Sequence, residues 1–316
     1  MLRSNPFFGH MSLRNCRFRL FSSVLPRGPT RSGTSVTFST AQRVFPIETI
    51  EVPGLLYSRN TNHVAQVSTI LGDAGILKLS LLFPDPKSDY LSQLVLGLHN
   101  NHNHHLPITH SGLRGAFWDV RPAVSNFQGG TYQARSETMK NFPWHTDCCY
   151  EEYPPRYFAL HVLQHDRHGG GALSVMSVNK ILDHLSPKAI NALSRPEFKI
   201  MVPQEFMKNP TKRWIFGSIL TPHHPNKGIS IRFRRDLISA VTTRASQALA
   251  ELDLLLQDAT VQSSSSLRLS AQDLPRGSVI VIDNRKWLHA RNQIKDQERH
   301  LRRVRWDAVP LGNEGT

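Results

Sequence analysis

Two stretches of the chain carry side chains whose spacing could do chemistry. The first, FPWHTDCCYEEYPP, runs from Phe142 to Pro155 and sets His145 two residues before Asp147. On an extended strand, side chains at i and i+2 point to the same side, whereas on a helix they diverge by about 200°. A strand here predicts that His145 and Asp147 face one way. Two such ligands plus one further histidine make the 2-His-1-carboxylate face that holds Fe(II) and leaves positions open for small ligands and O2. Taken alone, HxD reads more readily as a hydrogen-bonded step at a strand edge. Glu151 and Glu152 are adjacent, so on a strand they diverge, which favours a solvated edge over an acid/base pair.

The second stretch is GSVIVIDNRKWLHARNQIKDQERHLRRVRW, from Gly277 to Trp306. An apolar strand, Ser278 to Ile282, leads into a turn at Asp283-Asn284-Arg285, and His289 follows. If residues 299–305 are extended, Arg299 and Arg303 share a face with Leu301. Two guanidinium groups on an interior face need an anionic partner, because burying them unpaired costs several kcal/mol. A dicarboxylate meets that need, since arginine grips a carboxylate with two prongs. The alternative is a solvated basic edge, and periodicity alone does not choose between the two.

The elements around these stretches are mostly short strands. Ile47–Leu56 reads as a first strand ending at a Pro53-Gly54 turn, and Asn62–Leu71 as a helix leading to the apolar run Gly75–Phe83. Ser88–Leu98 has the spacing of an amphipathic helix, followed by a histidine-rich loop carrying His99, His102, His104, His105 and His110. With no carboxylate among them, these histidines read as a polar loop and not as a metal site. Strands are expected at Tyr157–Gln164, Ala172–Val178, Ile215–Leu220, Ile229–Phe233 and His300–Trp306. Asn179–Leu193 and Val241–Leu255 read as helices, and Ser263–Ser266 as a serine loop. Phe117 and Trp118 read as core residues. Many short strands with a few helices in one block predict an α+β protein, mainly β: a jelly roll decorated by helices.

The chain has 316 residues and a formal net charge of +14. Residues 1–47 hold seven arginines and no acid, which leaves 31 basic against 24 acidic residues in the remainder. An Arg- and Ser-rich, acid-free segment has the composition of a mitochondrial transit peptide; the alternatives are a disordered tail with a cytoplasmic protein, or a true start at Met11. Residues 1–44 are therefore read as a leader and 45–316 as one domain. The modest excess outside the leader and the lack of a recognised motif argue against a nucleic-acid partner, and no apolar run reaches the length of a membrane span. Oligomeric state is unreadable. Cys16, Cys148 and Cys149 form no disulfide framework, which implies a reducing compartment. The adjacent pair reads as small packing residues.

The two stretches together resemble the taurine dioxygenase-like (TauD/TfdA) branch of the Fe(II)/2-oxoglutarate-dependent dioxygenases over roughly residues 105–306. The matching blocks are Trp144-His145-Thr146-Asp147 with Pro154-Pro155, the turn Gly169-Gly170-Gly171, Asp283-Asn284-Arg285 with His289, and Arg299 with Arg303. The resemblance implies a double-stranded β-helix (a cupin-like jelly roll) with iron held by His145, Asp147 and His289. It implies a small, anionic organic substrate that is oxidised with release of succinate and CO2. It also implies that Arg299 pairs with the distal carboxylate of 2-oxoglutarate and that Arg303 lies beside it and contacts the substrate's anionic end. Asn141 and Cys148 fall at positions that line the substrate pocket. One departure is Ala172, where the family usually has a threonine that assists the arginine at the cosubstrate. Losing that hydroxyl costs about 1.5–3 kcal/mol unless Ser174 substitutes for it. Two other readings are a protein or histone hydroxylase of the same superfamily and a metal-binding jelly roll that has lost catalysis.

Overall fold

In the strand Pro155–Gln164 the alternation of side chains assigns two different cores. Tyr157 and Ala159 point to one face and pack with the helices Thr61–Asp73 and Asp89–His102. Phe158 and Val162 point to the other and meet residues of a second sheet. The same division holds in Ser278–Asp283, where Val279 and Val281 go outward and Ile280 and Ile282 inward. The computed structural model describes residues 47–109, 115–122, 133–223 and 228–311.

The larger sheet has six strands in the order Thr49–Val52, Ile76–Leu81, Ser278–Asp283, Pro155–Gln164, His300–Ala308 and Trp118–Val120. The smaller has four: Ser266–Leu269, Leu173–Ser177, Trp287–Arg291 and Phe142–His145. Leu173, Val175 and Leu269 of the smaller sheet pack against Phe158, Ile280 and Leu301 of the larger. Two facing, mainly antiparallel sheets make the jelly roll, and the fold is α+β. A third core belongs to an annex built from the helices Pro187–Leu193 and Thr243–Gln257 and the three-stranded sheet Ile238–Ala240, Phe198–Met201, Trp214–Gly217. Among the described residues no helix is long and apolar enough to cross a membrane.

Most expected elements are present, with three differences of physical origin. The segment read as one helix from Asn179 to Leu193 is two, Val178–Leu182 and Pro187–Leu193. Ser186 caps the second through the Ala189 N–H, and Pro187 opens it, the usual start signal. Residues Ser263–Ser265, read as loop, close the helix Ala259–Ser265. Asp258 accepts the N–H groups of Thr260 and Val261, and the Ser263 and Ser264 hydroxyls bond back to the Thr260 carbonyl. The helix Asp89–His102 runs past Leu98 and takes in His99 and His102. His104 is buried, stacks on Tyr157 at 4.9 Å and accepts a hydrogen bond from Trp306. His110 and the leader lie outside the described residues. Phe117 and Trp118 pack in the cores as expected.

Burial pushes the imidazoles of His104 and His161 down to about 4. His161 sits 2.8 Å from the Ser88 hydroxyl. Both rings stay neutral in the fold, while the unfolded chain takes up protons near pH 6.5. Stability is therefore complete above pH 6.5 and falls as pH drops toward 4. Urea titrations are expected to show a loss of about 1–2 kcal/mol per histidine between pH 6.5 and 5. In His161→Gln the pH slope shrinks by up to about 1.4 kcal/mol per unit; an unchanged slope would refute the assignment.

Candidate metal and anion site

His145 closes the strand Phe142–His145, and Asp147 lies beyond it in a turn. The strand alternation invoked from the sequence is thus not what aligns the pair. The turn does so, held on both sides. Thr146 donates its N–H to the Phe233 carbonyl at 2.7 Å and accepts the Phe233 N–H on its hydroxyl at 3.0 Å. Asn284 accepts the Asp147 N–H at 2.7 Å and donates to the carbonyls of Asp147 and Pro155 at 2.9 and 3.0 Å. Asp283 receives the Arg285 N–H, and the Arg285 guanidinium reaches the carbonyls of Pro154, Val309 and Pro310. The Asp-Asn-Arg block is a clamp between the two sheets.

His289 lies on Trp287–Arg291, directly across from His145. The Nε2 atoms of His145 and His289 are 3.9 and 3.8 Å from the same oxygen of Asp147. Ligand atoms of all three side chains fall within 4.8 Å of one another, and all three residues are buried. His145 Nδ1 lies 2.7 Å from the Pro143 carbonyl, so it carries the proton and turns the Nε2 lone pair toward the group. Burial, then neighbouring His289, pushes the His145 imidazole well below its ordinary value. Burial alone would raise the Asp147 carboxyl, but the Arg303 and Arg305 guanidiniums outweigh it and hold it well below the usual range. Two imidazoles and one carboxylate, aimed inward, are a donor set that suits a divalent ion.

Arg299 is buried beside the glycine turn. Its Nη2 donates to the Gly171 carbonyl at 3.3 Å, and among the described residues its Nη1 has no partner. Burial, with Arg291 nearby, pushes the guanidinium down to about 9. Gly171 has φ +63°, and a Cβ there would lie 2.6 Å from Arg299 Nε. Glycine is thus required both for the turn and for the guanidinium beside it. Asp166 pins this turn to the segment before Arg299 by accepting N–H groups from His168, Gly170, Lys295 and Asp296. The hollow beside Arg299, about 40 Å³, is walled mainly by aliphatic side chains such as Leu160, Ile280 and Leu301.

Several sequence expectations are displaced. Ala172 is buried nearby and its N–H goes to Asn292 at 2.7 Å, but Leu173 lines the hollow instead. Ser174, the expected substitute, alternates away from Leu173 and does not line it. Arg303, expected at the substrate's anionic end, is engaged with Asp147 at 3.2 Å. Asn141 is exposed and off the wall of the cavity above the metal-type cluster; Phe142 is on it and stacks on His145 at 3.6 Å. Cys148 does line that cavity, and burial raises its thiol. Glu151 and Glu152 pair with Lys208 and Lys212. Sequence reading missed Arg305, Arg234 and Arg135 on the cavity wall. Arg305 was within reach, because it continues the alternation of Leu301 and Arg303. Arg234 and Arg135 carry no such pattern.

The chain is also similar to known proteins. The family model described as taurine catabolism dioxygenase TauD, TfdA family matches residues 90–200, which include His145 and Asp147. Over that segment the sequence is similar to that family. An L-asparagine oxygenase of Streptomyces coelicolor is 27% identical over 172 residues, 54% of this chain and 46% of that protein. The match thus spans about half the length of this curated relative. Among solved structures, asparagine oxygenase in complex with Fe(II), 2S,3S-3-hydroxyasparagine and succinate superposes with a TM-score of 0.60 at 20% identity, covering 78% of each chain. The non-heme iron oxygenase OrfP in complex with Fe, succinate and (3R,4R)-dihydroxy-L-Arg gives a TM-score of 0.58 at 18% identity, covering 79% of this chain and 85% of OrfP. At these identities the likeness establishes the fold.

Asn284→Ala tests the clamp. It removes three buried hydrogen bonds and leaves the Asp147 N–H unpaired, a loss of about 2–4 kcal/mol. Denaturant titration is expected to show that loss, with weaker divalent-metal binding by calorimetry. Metal affinity equal to that of the unaltered protein would separate Asn284 from the alignment of Asp147.

Proposed function

We propose that this protein is an Fe(II)/2-oxoglutarate-dependent dioxygenase that oxidises a small organic anion. The observation that carries the reading is the convergence of His145, Asp147 and His289 in the space between the two sheets, with the Nη1 of Arg299, partnerless among the described residues, in the same interior. In this reading His145, Asp147 and His289 hold the metal. Arg299 receives the distal carboxylate of 2-oxoglutarate, the anion that its buried guanidinium requires. Bound Fe(II) and 2-oxoglutarate supply, with O2, the oxidation of an unactivated C–H bond with release of succinate and CO2.

The chain's own contribution is alignment and exclusion of water. Pro143 fixes the His145 tautomer, and Phe142 and Phe158 pack on the rings of His145 and His289 at 3.6 and 4.6 Å. Gly171 leaves room for Arg299. Arg299 is the one guanidinium among the described residues that line the hollow beside it, so cosubstrate binding depends strongly on one side chain. The enclosed, mostly buried wall of the cavity supports a small substrate over a protein segment.

Titration of the anaerobic protein with Fe(II) and 2-oxoglutarate is expected to produce a weak visible charge-transfer band. His145→Ala removes the band. Arg299→Ala raises the 2-oxoglutarate concentration for half-saturation by about tenfold or more, and Gly171→Ala shifts it in the same direction. No band from the unaltered protein at millimolar 2-oxoglutarate would point instead to a metal-binding jelly roll without this chemistry.

A further inference from the structure

A hollow on the outer side of the larger sheet takes no part in the chemistry described above. It lies where Leu81, Gly277 and Val162 tie three strands together. The Leu81 N–H donates to the Gly277 carbonyl at 3.1 Å, and the Gly277 N–H to the Val162 carbonyl at 2.9 Å. Its volume is about 540 Å³, inside the range of roughly 300–1,000 Å³ that small-molecule sites occupy. The hollows beside Arg299 and above the metal-type cluster measure about 40 and 20 Å³. Residues 82–86 form one wall, and Arg302 holds that loop to the sheet by donating to the Pro86 carbonyl at 3.1 Å.

His161 belongs to this wall, on the face of its strand that Tyr157 and Ala159 share. It is only 2% exposed. Its one side-chain hydrogen bond among the described residues joins Nδ1 to the Ser88 hydroxyl. Ser88 holds φ +60°, an uncommon conformation for a non-glycine residue. With that hydroxyl donating, Nε2 carries the ring proton and is a donor with no acceptor. A buried donor left unpaired is costly, so the position calls for an acceptor from outside the chain. Arg276, in the turn before Ser278–Asp283, lines the same hollow; it is exposed and forms no ion pair among the described residues. The one carboxylate of the wall, Asp85, is buried and already accepts the N–H groups of Asp89 and Tyr90 at 2.8 and 3.0 Å. Most other wall side chains are apolar, among them Leu82, Phe83, Pro84, Pro86 and Leu163, and Leu82 is 60% exposed.

We propose that this hollow is a second ligand site, separate from the barrel interior, for a carboxylic acid with an apolar body. Arg276 and the His161 Nε2–H supply the two donors that one carboxylate takes up, whereas a phosphate dianion would meet a single cation among the lining residues. The hydrocarbon part covers Leu82, Phe83 and Leu163, apolar surface otherwise left partly in water. The site does not depend on the oxygenase reading. It backs onto that machinery, because Leu160 and Val162, on either side of His161, line the hollow beside Arg299.

Octanoate and 3-phenylpropionate represent the aliphatic and aromatic forms of this class; their amides lack the charge, and acetate lacks the apolar body. Each is titrated into the full chain carrying 15N-labelled histidine, with the His161 ring signals assigned by their loss in His161→Gln. Calorimetry reads the same affinities if that variant does not fold. At least one of the two acids is expected to saturate below about 10 mM and to shift the His161 signals. It is expected to bind about tenfold or more tightly than its own amide and than acetate. Arg276→Met, at an exposed position, is expected to weaken that binding about tenfold or more, with partial recovery in Arg276→Lys. Millimolar 2-oxoglutarate is expected to leave the acid bound. Absence of saturable binding by either acid overturns the proposal, as does binding that leaves the His161 signals unmoved. So does an amide or acetate that binds as well as the acids, an undiminished affinity in Arg276→Met, or displacement by 2-oxoglutarate. None of these outcomes bears on the charge-transfer band, so the oxygenase reading is decided separately.

Discussion

Buried positive charge constrains the interior of this fold. Arg291, Arg299, Arg303 and Arg305 are all buried, and Arg303 and Arg305 both lie close to the carboxylate of Asp147. Desolvating a guanidinium is tolerable only where an anion or a full set of acceptors replaces water. Arg291 finds carbonyls at Thr138 and Lys140, and Arg303 finds Asp147. Arg299 finds one carbonyl and, among the described residues, leaves a second nitrogen bare.

That arrangement holds together because the two sheets are tied at one point. Asn284 ends an inner strand of the larger sheet and binds both faces of the Asp147 peptide unit, while His289, five residues on, pairs across from His145 in the smaller sheet. The three inward side chains therefore share a frame made of backbone hydrogen bonds and one buried amide.

Much of this was legible from residue order. The HxD pair, the Asp-Asn-Arg block with its later histidine, and the spaced arginines pointed to the cluster, and the short strands pointed to a jelly roll. The reason given for the HxD geometry was nonetheless incorrect, because the strand stops at His145 and a turn takes over. Alternation along residues 301–305 contained Arg305, yet nothing in one strand says which partner each guanidinium meets. Arg303 went to the nearest carboxylate, a tertiary fact. Ala172 was singled out by position, whereas the wall is formed by Leu173, because one residue of register exchanges the faces of a strand. In the annex the helix Thr243–Gln257 was legible from its period, whereas Pro187–Leu193 is short and its Ser186 cap looks like loop in sequence.

The reciprocal bond between Thr146 and Phe233 has a consequence for how such a protein can diverge. Phe233 is embedded in the annex core, and Thr146 sits between two of the inward side chains. Drift in the annex, through a larger residue at Ile219 or a smaller one at Phe198, reaches the spacing of a histidine and an aspartate through this clasp, the His145–Arg234 bridge and the packing of Cys148 and Tyr150 in the same core. The annex thereby acts as a tuning block, through which new specificities can arise without any replacement on the cavity wall itself.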